Sequence, residues 1–402
     1  MGFAYEPEEA AMNESNRQGL MQKLKLVSAG TLAAACLLLA GCWDEVNLQD
    51  VSYISAIGVD YVNGEYHLYT QMINFAAVAK TESPQTHNQK TWVGKGKGDS
   101  VLLAFYNLSR SAYTTLNLEH LKAIVVHERA LGKIADVLDG LNRQRASRYT
   151  SLLYGTDEEL EKVLTTENFF DQSPLNSILY LPDPHIKQYT FLKPLKMQNA
   201  VQLLREPGMT TLMPALNTTK KYWQHGKKKM NTQLIDGVFV FKNFQYQGFA
   251  SEKDLLGVRW LDEAFQKVFI KAGGGPNEAT VSITKSKFRI QMKSASPDQA
   301  SLRLTISLTG HVIELDGQMT ESEIVSSIQT RVKEEIESTY RYGVGKGMDV
   351  FQLQHYLYRY HHGYWKQHVK GKEWKPDKDL LAEVEVHLDL TDTGKFDLES
   401  GT

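Results

Sequence analysis

Cysteine and histidine are the residues on which most covalent and metal chemistry would rest, and here their placement excludes more than it offers. The chain has 402 residues with two cysteines, Cys36 and Cys42, both near the N-terminus. No thiol beyond Cys42 can act as a nucleophile in the body of the protein. A disulfide framework or a Cys-based zinc site needs cysteines spread through the fold. The 12 histidines are scattered. No H-E-x-x-H occurs, and His361-His362 would point about 100° apart on a helix, away from a common ion. His120, just before a buried strand, reads as a backbone hydrogen-bonding residue. His127-Glu128 could do acid–base work, but no nucleophile accompanies them and no G-x-S-x-G occurs. Asp and Glu are too dispersed to nominate the carboxylate pair of a hydrolase. Gly94-Lys95-Gly96-Lys97-Gly98-Asp99-Ser100 invites a phosphate-loop reading, yet no Lys directly precedes Ser100, so a turn and a helix cap explain it. The expectation is a protein with no catalytic residues, no metal and no cofactor.

Cys42 is different, because its context is specific. Lys23 and Lys25 precede an apolar run from Leu26 to Ala40, which ends in Leu39-Ala40-Gly41-Cys42. A positive start, a short apolar stretch and small residues before a cut site make a signal peptide. The run is shorter than the roughly 20 residues of a membrane span. Leu39, Ala40, Gly41 and Cys42 resemble the lipobox of bacterial lipoproteins. In that pattern the Cys42 thiol is alkylated by a diacylglyceryl group and the chain is cut just before it. Two acyl chains anchor stably where one is marginal. Residues 1–41 are therefore expected to be removed, Cys36 with them. Glu6, Glu8, Glu9 and Glu14 put negative charge where a signal should be positive, so translation is expected to start at Met21.

A second feature is a basic stretch with aromatics. Lys220, Lys221, Tyr222, Trp223, Lys227, Lys228 and Lys229 fall within ten residues. Clustered Lys gains about 1 kcal/mol each near anionic lipid, and Trp and Tyr suit the membrane interface. The sequence leaves two readings: lipid contact supplementing the anchor, or a solvated linker. The chain as a whole offers no basic field for nucleic acid, with 45 Lys+Arg against 47 Asp+Glu.

The elements that must position these residues are mixed. Hydrophobic residues make up 42% and charged residues 23%, a globular balance that excludes wholesale disorder. At about 150 residues per domain, the length suggests two or three domains. Val51–Tyr61 and Tyr66–Ile73 flank Asn63-Gly64 and read as a β-hairpin. Residues 80–91 read as loop. Asp99 reads as the cap of a helix to about Ser111. Leu121–Val126 and Leu152–Tyr154 read as strands, Ala130–Leu141 as a helix, and a helix starts at Asp157. Leu195–Leu204 is helical and stops at Pro207-Gly208. Gly237–Phe241, Phe244–Phe249, Thr280–Thr284, Lys287–Met292, Leu302–Glu314 and Val384–Leu390 read as strands, with Asp254–Leu261 helical or turn-like. Thr320-Glu321-Ser322-Glu323 fits a capping box opening a helix with Ile324, Ile328, Val332, Ile336 and Tyr340 on one stripe. Another helical stretch covers about Val350–Tyr360. The class is α+β: several mixed sheets packed with helices, in about three subdomains. The expected division is a signal over 1–41, an N-terminal region over 42–216, a linker over 217–233 and a C-terminal region over 234–395.

In order, these features resemble the Ger(x)C family, the C-subunit lipoproteins of spore germinant receptors. The resemblance rests on Gly41-Cys42-Trp43-Asp44, then Ala56-Ile57-Gly58-Val59-Asp60, Gly98 and the helix after it. His120 with Ala123–Val126 and Arg143 and Arg148 follow. Gly237–Phe241, Gly248, Gly257, Trp260, the helix from Glu321, Asp349-Val350-Phe351 and Trp365 complete it. His361-His362-Gly363 departs from the family pattern before Trp365. The resemblance implies a non-catalytic lipoprotein on the outer face of the cytoplasmic (spore inner) membrane. Its implied partners are polytopic A- and B-type receptor subunits and, through acylated Cys42, membrane lipid. A tethered chain of this kind is expected to work by protein contact, with Tyr356, Tyr358, Tyr360, Tyr364, Trp365 and Trp374 supplying core and some interface. The alternative from another class is a solute-binding lipoprotein that delivers a nutrient to a permease, which would close two domains around a ligand.

Overall fold

Asn63 and Gly64 both adopt positive φ, 53° and 87°, and join β1 (Val51–Val62) to β2 (Glu65–Met72) in the expected antiparallel hairpin. The computed structural model describes residues 19–32, 51–73, 91–143, 149–295 and 300–392. Residues 19–32 are helical and belong to a unit of their own. Residues 80–90 of the expected loop lie outside the described residues.

The first sheet gathers nine strands. β3 (Trp92–Gly98) pairs with β2, and β4 (Thr115–Asn117) with β1. β5 (Ala123–His127) and β6 (Leu152–Thr156) run parallel to β1. β7 (Thr210–Thr219) bridges β6 in parallel. β10 (Thr232–Lys242) and β11 (Gln245–Ser251) close the other edge in antiparallel order. Every residue of β5 and β6 is buried. That is why Ala123–Val126 is continuously apolar: a central parallel strand has no solvent face. On one face Ile57, Val59, Ile124 and Val126 meet three helices, α1 (Val101–Ser109), α3 (Ile134–Asn142) and α6 (Met197–Arg205). The short α2 (Glu128–Leu131) follows β5. On the other face Ala56, Val125 and Tyr154 meet α4 (Leu160–Leu164), and Tyr180 and Phe191 lie on either side of α5 (Asp183–Gln188).

The second sheet has four strands in order, β12 (Val268–Gly274), β13 (Asn277–Ala295), β14 (Ala300–Asp316) and β15 (Leu381–Asp392). The two separate strands expected over 280–292 are one strand, bent at register shifts near Thr280, Ile283 and Met292. The long helix α7 (Glu321–Lys346) opens with the expected capping box and buries Ile324, Ile328, Val332, Ile336 and Tyr340. It ends at Gly347, whose φ of 69° suits a left-handed cap. Two short helices, α8 (Leu353–Tyr360) and α9 (His362–His368), lead back to β15.

Several expectations are refined. The cap of α1 is Ser100, whose hydroxyl accepts from Leu103 N–H at 3.2 Å, so Asp99 lies one residue too early. The helix over 130–141 is two helices, broken near Gly132-Lys133. Residues 217–233, expected as a linker, begin and end in strand. β7 runs to Thr219, β10 begins at Thr232, and the two are paired there. Between them β8 (Gln224–His225) and β9 (Lys228–Lys229) form a small ribbon turning at Gly226. β10 and β11, placed in the C-terminal region by sequence, belong to the first sheet. Polar composition suggested a linker because the arm is solvent-exposed on both faces.

Candidate functional site

Leu39, Ala40, Gly41 and Cys42 lie outside the described residues. Among the described residues no helix is long and apolar enough to cross a membrane.

The ribbon that carries the other nominated residues is defined. Every residue from Lys220 to Lys229 is exposed, and Met230 N–H closes the turn on Trp223 O at 2.9 Å. Lys221 Nζ sits 5.3 Å from the Tyr222 ring, and Lys228 Nζ is 3.8 Å from Glu167. The base of the arm is held by Thr218, whose hydroxyl donates to Glu158 at 2.6 Å, and by Gln233, which donates to Val163 O. Lys220, Lys221, Trp223, Lys227, Lys228 and Lys229 are thus brought together on one projecting arm. Sequence reading missed Phe169, whose ring meets Trp223 edge-on at 4.8 Å, 54 residues away in the chain. No local pattern marks that proximity.

The other nominated chemistry resolves into packing. The Gly94–Gly98 stretch is edge strand β3. A Cβ at Gly96 would overlap the Ala104 carbonyl oxygen, and one at Gly98 would lie 2.6 Å from Ala104 N. The alternate glycines let α1 rest on the strand. His127 caps α2, its Nδ1 accepting from Arg129 N–H at 3.1 Å, and burial lowers its pKa. Asp60 is buried beside it and receives both an Nε–H and a second N–H of Arg129. Burial pushes the Asp60 carboxyl up, but Arg129, His127 and the Tyr61 N–H together hold it below the usual range. Glu128 accepts from Tyr246 OH at 2.6 Å. Both members of the candidate acid–base pair therefore hold elements together. Among the described residues no group of three metal-ligating side chains converges.

The aromatic cluster is mostly structural too. Trp365 is buried against Tyr358 at 5.0 Å, and Tyr356 OH donates to Ile290 O at 2.9 Å. Lys242 Nζ donates to Trp374 O and lies 5.5 Å from its ring. Tyr360 alone of the six is fully on the surface. At the junction of the sheets, the 3₁₀ segment Lys253–Leu261 docks on α7. A Cβ at Gly257 would lie 2.7 Å from Ile336 Cα, and Gly257 N–H donates to Thr339 Oγ1 at 2.9 Å. Asp349 is buried and accepts from Leu353 and Gln354 N–H, ordering the start of α8.

These features define an α+β protein of two mixed sheets coupled by one long helix, with Asp60, His127, Glu128 and Asp349 engaged in holding elements and a cationic aromatic arm left in solvent. The chain belongs to the spore germination GerAC family: residues 44–218 match the spore germination protein N-terminal domain, and residues 236–394 match the spore germination B3/GerAC-like C-terminal domain. Spore germination protein KC of Bacillus subtilis (strain 168) is 24% identical over 91% of this chain and 96% of its own length. Spore germination protein B3 of the same organism is 22% identical over 88% of this chain and 93% of its own. The crystal structure of the GerBC protein matches with a TM-score of 0.52 at 15% identity, covering 84% of this chain and 97% of that one. That likeness is one of fold.

Proposed function

We propose that this chain is the peripheral lipoprotein subunit of a spore germinant receptor, non-catalytic and acting by contact with polytopic membrane subunits. The observation that carries the reading is the extent of the family match, which spans both halves of the body and relatives named as spore germination proteins. The Cys42 anchor would hold it on the outer face of the cytoplasmic (spore inner) membrane. Its side-chain contacts between elements support a rigid docking body: Asp60–Arg129, Glu128–Tyr246 and Arg259–Glu335 each fasten one element to another.

Affinity capture of the tagged chain from detergent-solubilised spore inner membranes tests this. Two polytopic partners should co-purify in constant ratio. Recovery of the chain alone, together with submillimolar binding of an amino acid or sugar to it by calorimetry, would instead assign it to solute capture.

A further inference from the structure

The most exposed apolar side chain of the body outside β3, α1 and the segment after it is Phe170, in the short 3₁₀ turn Phe169–Asp171. It is 92% exposed, and its φ of 57° is a left-handed conformation that bulky L residues rarely adopt. A residue held in that region while its ring stands in water calls for a use outside packing within the chain. Its neighbours extend the surface. The Phe169 ring lies 6.3 Å from Phe170 and 4.8 Å from Trp223. Phe169, Tyr222 and Trp223 are 37%, 63% and 55% exposed. Two segments more than 50 residues apart thus build one apolar tip. Lys220, Lys221, Lys227, Lys228 and Lys229 surround it on the ribbon. Glu167, the acidic group facing the ribbon, lies 3.8 Å from Lys228.

We propose that Phe169, Phe170, Tyr222 and Trp223 insert into the interfacial region of an anionic phospholipid bilayer while the five ribbon lysines bind its headgroups. Two arguments select a lipid surface over other occupants. Phe carries no polar handle, so an apex of two Phe suits hydrocarbon, whereas Tyr and Trp behind it suit the headgroup level. The lysines match anionic headgroups in sign and remain flexible and hydrated. Nucleic acid would ask for ring faces open to stacking, whereas Phe169 and Trp223 are already engaged edge-on with each other at 61°. The contact is non-covalent and separate from acylation at Cys42. It would fix which side of the body faces the membrane, which attachment at one residue alone does not.

The test uses residues 42–402 with Cys42→Ser, so that no acyl chain takes part. The body from Ser52 onward is a compact unit by itself, so its packing is retained. Flotation compares vesicles of equal parts phosphatidylglycerol and phosphatidylcholine with vesicles of phosphatidylcholine alone. The parent should float with the anionic vesicles. Phe169→Ser with Phe170→Ser should weaken that binding by about tenfold to a hundredfold, the scale for losing the burial of about one Phe side chain shared between two partly inserted rings. Replacing the five lysines by Gln should remove the preference for anionic vesicles. Both variants touch only surface positions, and an unchanged urea midpoint confirms their folding. Equal binding by the parent and the Phe variant overturns the proposal, as does a parent that binds neither vesicle. Loss of partner co-purification in the Phe variant without any vesicle binding would assign the tip to a protein surface. The vesicle assay contains no receptor subunit, so its outcome is independent of the germinant-receptor reading.

Discussion

Arg259 and Glu335 face each other at the junction of the two sheets, one guanidinium nitrogen of Arg259 donating to both carboxylate oxygens of Glu335 at 2.9 and 2.8 Å. Trp260 Nε1–H donates to the same carboxylate at 2.9 Å. One helix side chain thereby holds two consecutive residues of the 3₁₀ segment that packs on α7. Both ionic side chains are largely out of water. Pairs of this kind gain little over apolar substitutes but cost much when halved, because the remaining charge stays buried. Glu335→Ala should lower stability by about 3–5 kcal/mol. Urea denaturation checks this; a loss under about 1 kcal/mol, the scale of an exposed pair, would show that the junction does not depend on the carboxylate.

The lysine–glycine alternation in β3 separates a packing role from a ligand role. Gly96→Ala drives a Cβ into the backbone of α1, which cannot yield by a rotamer change. It should cost about 1–3 kcal/mol, the range for overpacking. Lys97→Ala should stay within about 0.5 kcal/mol, as surface changes do. Thermal melts of the two variants decide it. A phosphate loop would show the reverse sensitivity, with phosphate raising the melting temperature of the parent and not of Lys97→Ala.

Asp349 should impose a pH dependence. Burial raises its carboxyl to about 6 from an ordinary 3.8, against the Gln354 and Leu353 N–H groups and Lys242, which pull it down. The folded state therefore keeps a proton that the unfolded chain releases first. Its contribution to stability is full below about pH 4 and falls as pH rises to about 6, by at most about 1.4 kcal/mol per pH unit. Asp349→Asn cannot release that proton. The stability of the parent minus that of Asp349→Asn should therefore decrease from about pH 4 to about pH 6 and level above it. Guanidinium titrations across that range measure it, and a flat difference would place the carboxyl in water.

Local signals were readable where the physics is local. Asn63-Gly64, the Thr320–Glu323 capping box and the Ile324-to-Tyr340 stripe each depend on residues within one turn or one helix face, and each element stands as expected. The strand β12, by contrast, alternates buried Val268, Ile270 and Ala272 with exposed Phe269 and Lys271, and sequence reading passed over it because Phe269 breaks the apolar–polar rhythm. The edge strand β3 was hidden by its glycines, whose reason is a helix packed across it. The ribbon was readable in composition but not in placement. Lys220–Lys229 signals a solvated segment in either reading, and only the pairing of Thr219 with Thr232 makes it an arm. Phe169 and Trp223 meet through tertiary structure, which no window of sequence contains. The Arg129–Asp60 and Arg259–Glu335 contacts are of the same kind, 69 and 76 residues apart.

The anchor makes the sharpest chemical prediction, because it requires a thiol at one position. If Cys42 is alkylated before cleavage, the chain recovered from membranes begins at residue 42 and its N-terminal peptide carries acyl mass. Cys42→Ala should be neither labelled by radioactive palmitate nor cut, since no other side chain there offers a nucleophile, and so should keep residues ahead of position 42. Cys36→Ala should be processed normally, because Cys36 leaves with the signal. Two acyl chains bury enough methylene, at about 0.8 kcal/mol each, to move the wild type wholly into a detergent phase. A chain expressed directly from Trp43 should stay in the aqueous phase in the same partition. Palmitate incorporation into Cys42→Ala, or an uncut wild-type chain, would mean that the apolar run from Leu26 to Ala40 is retained and that the attachment to the membrane is of another kind.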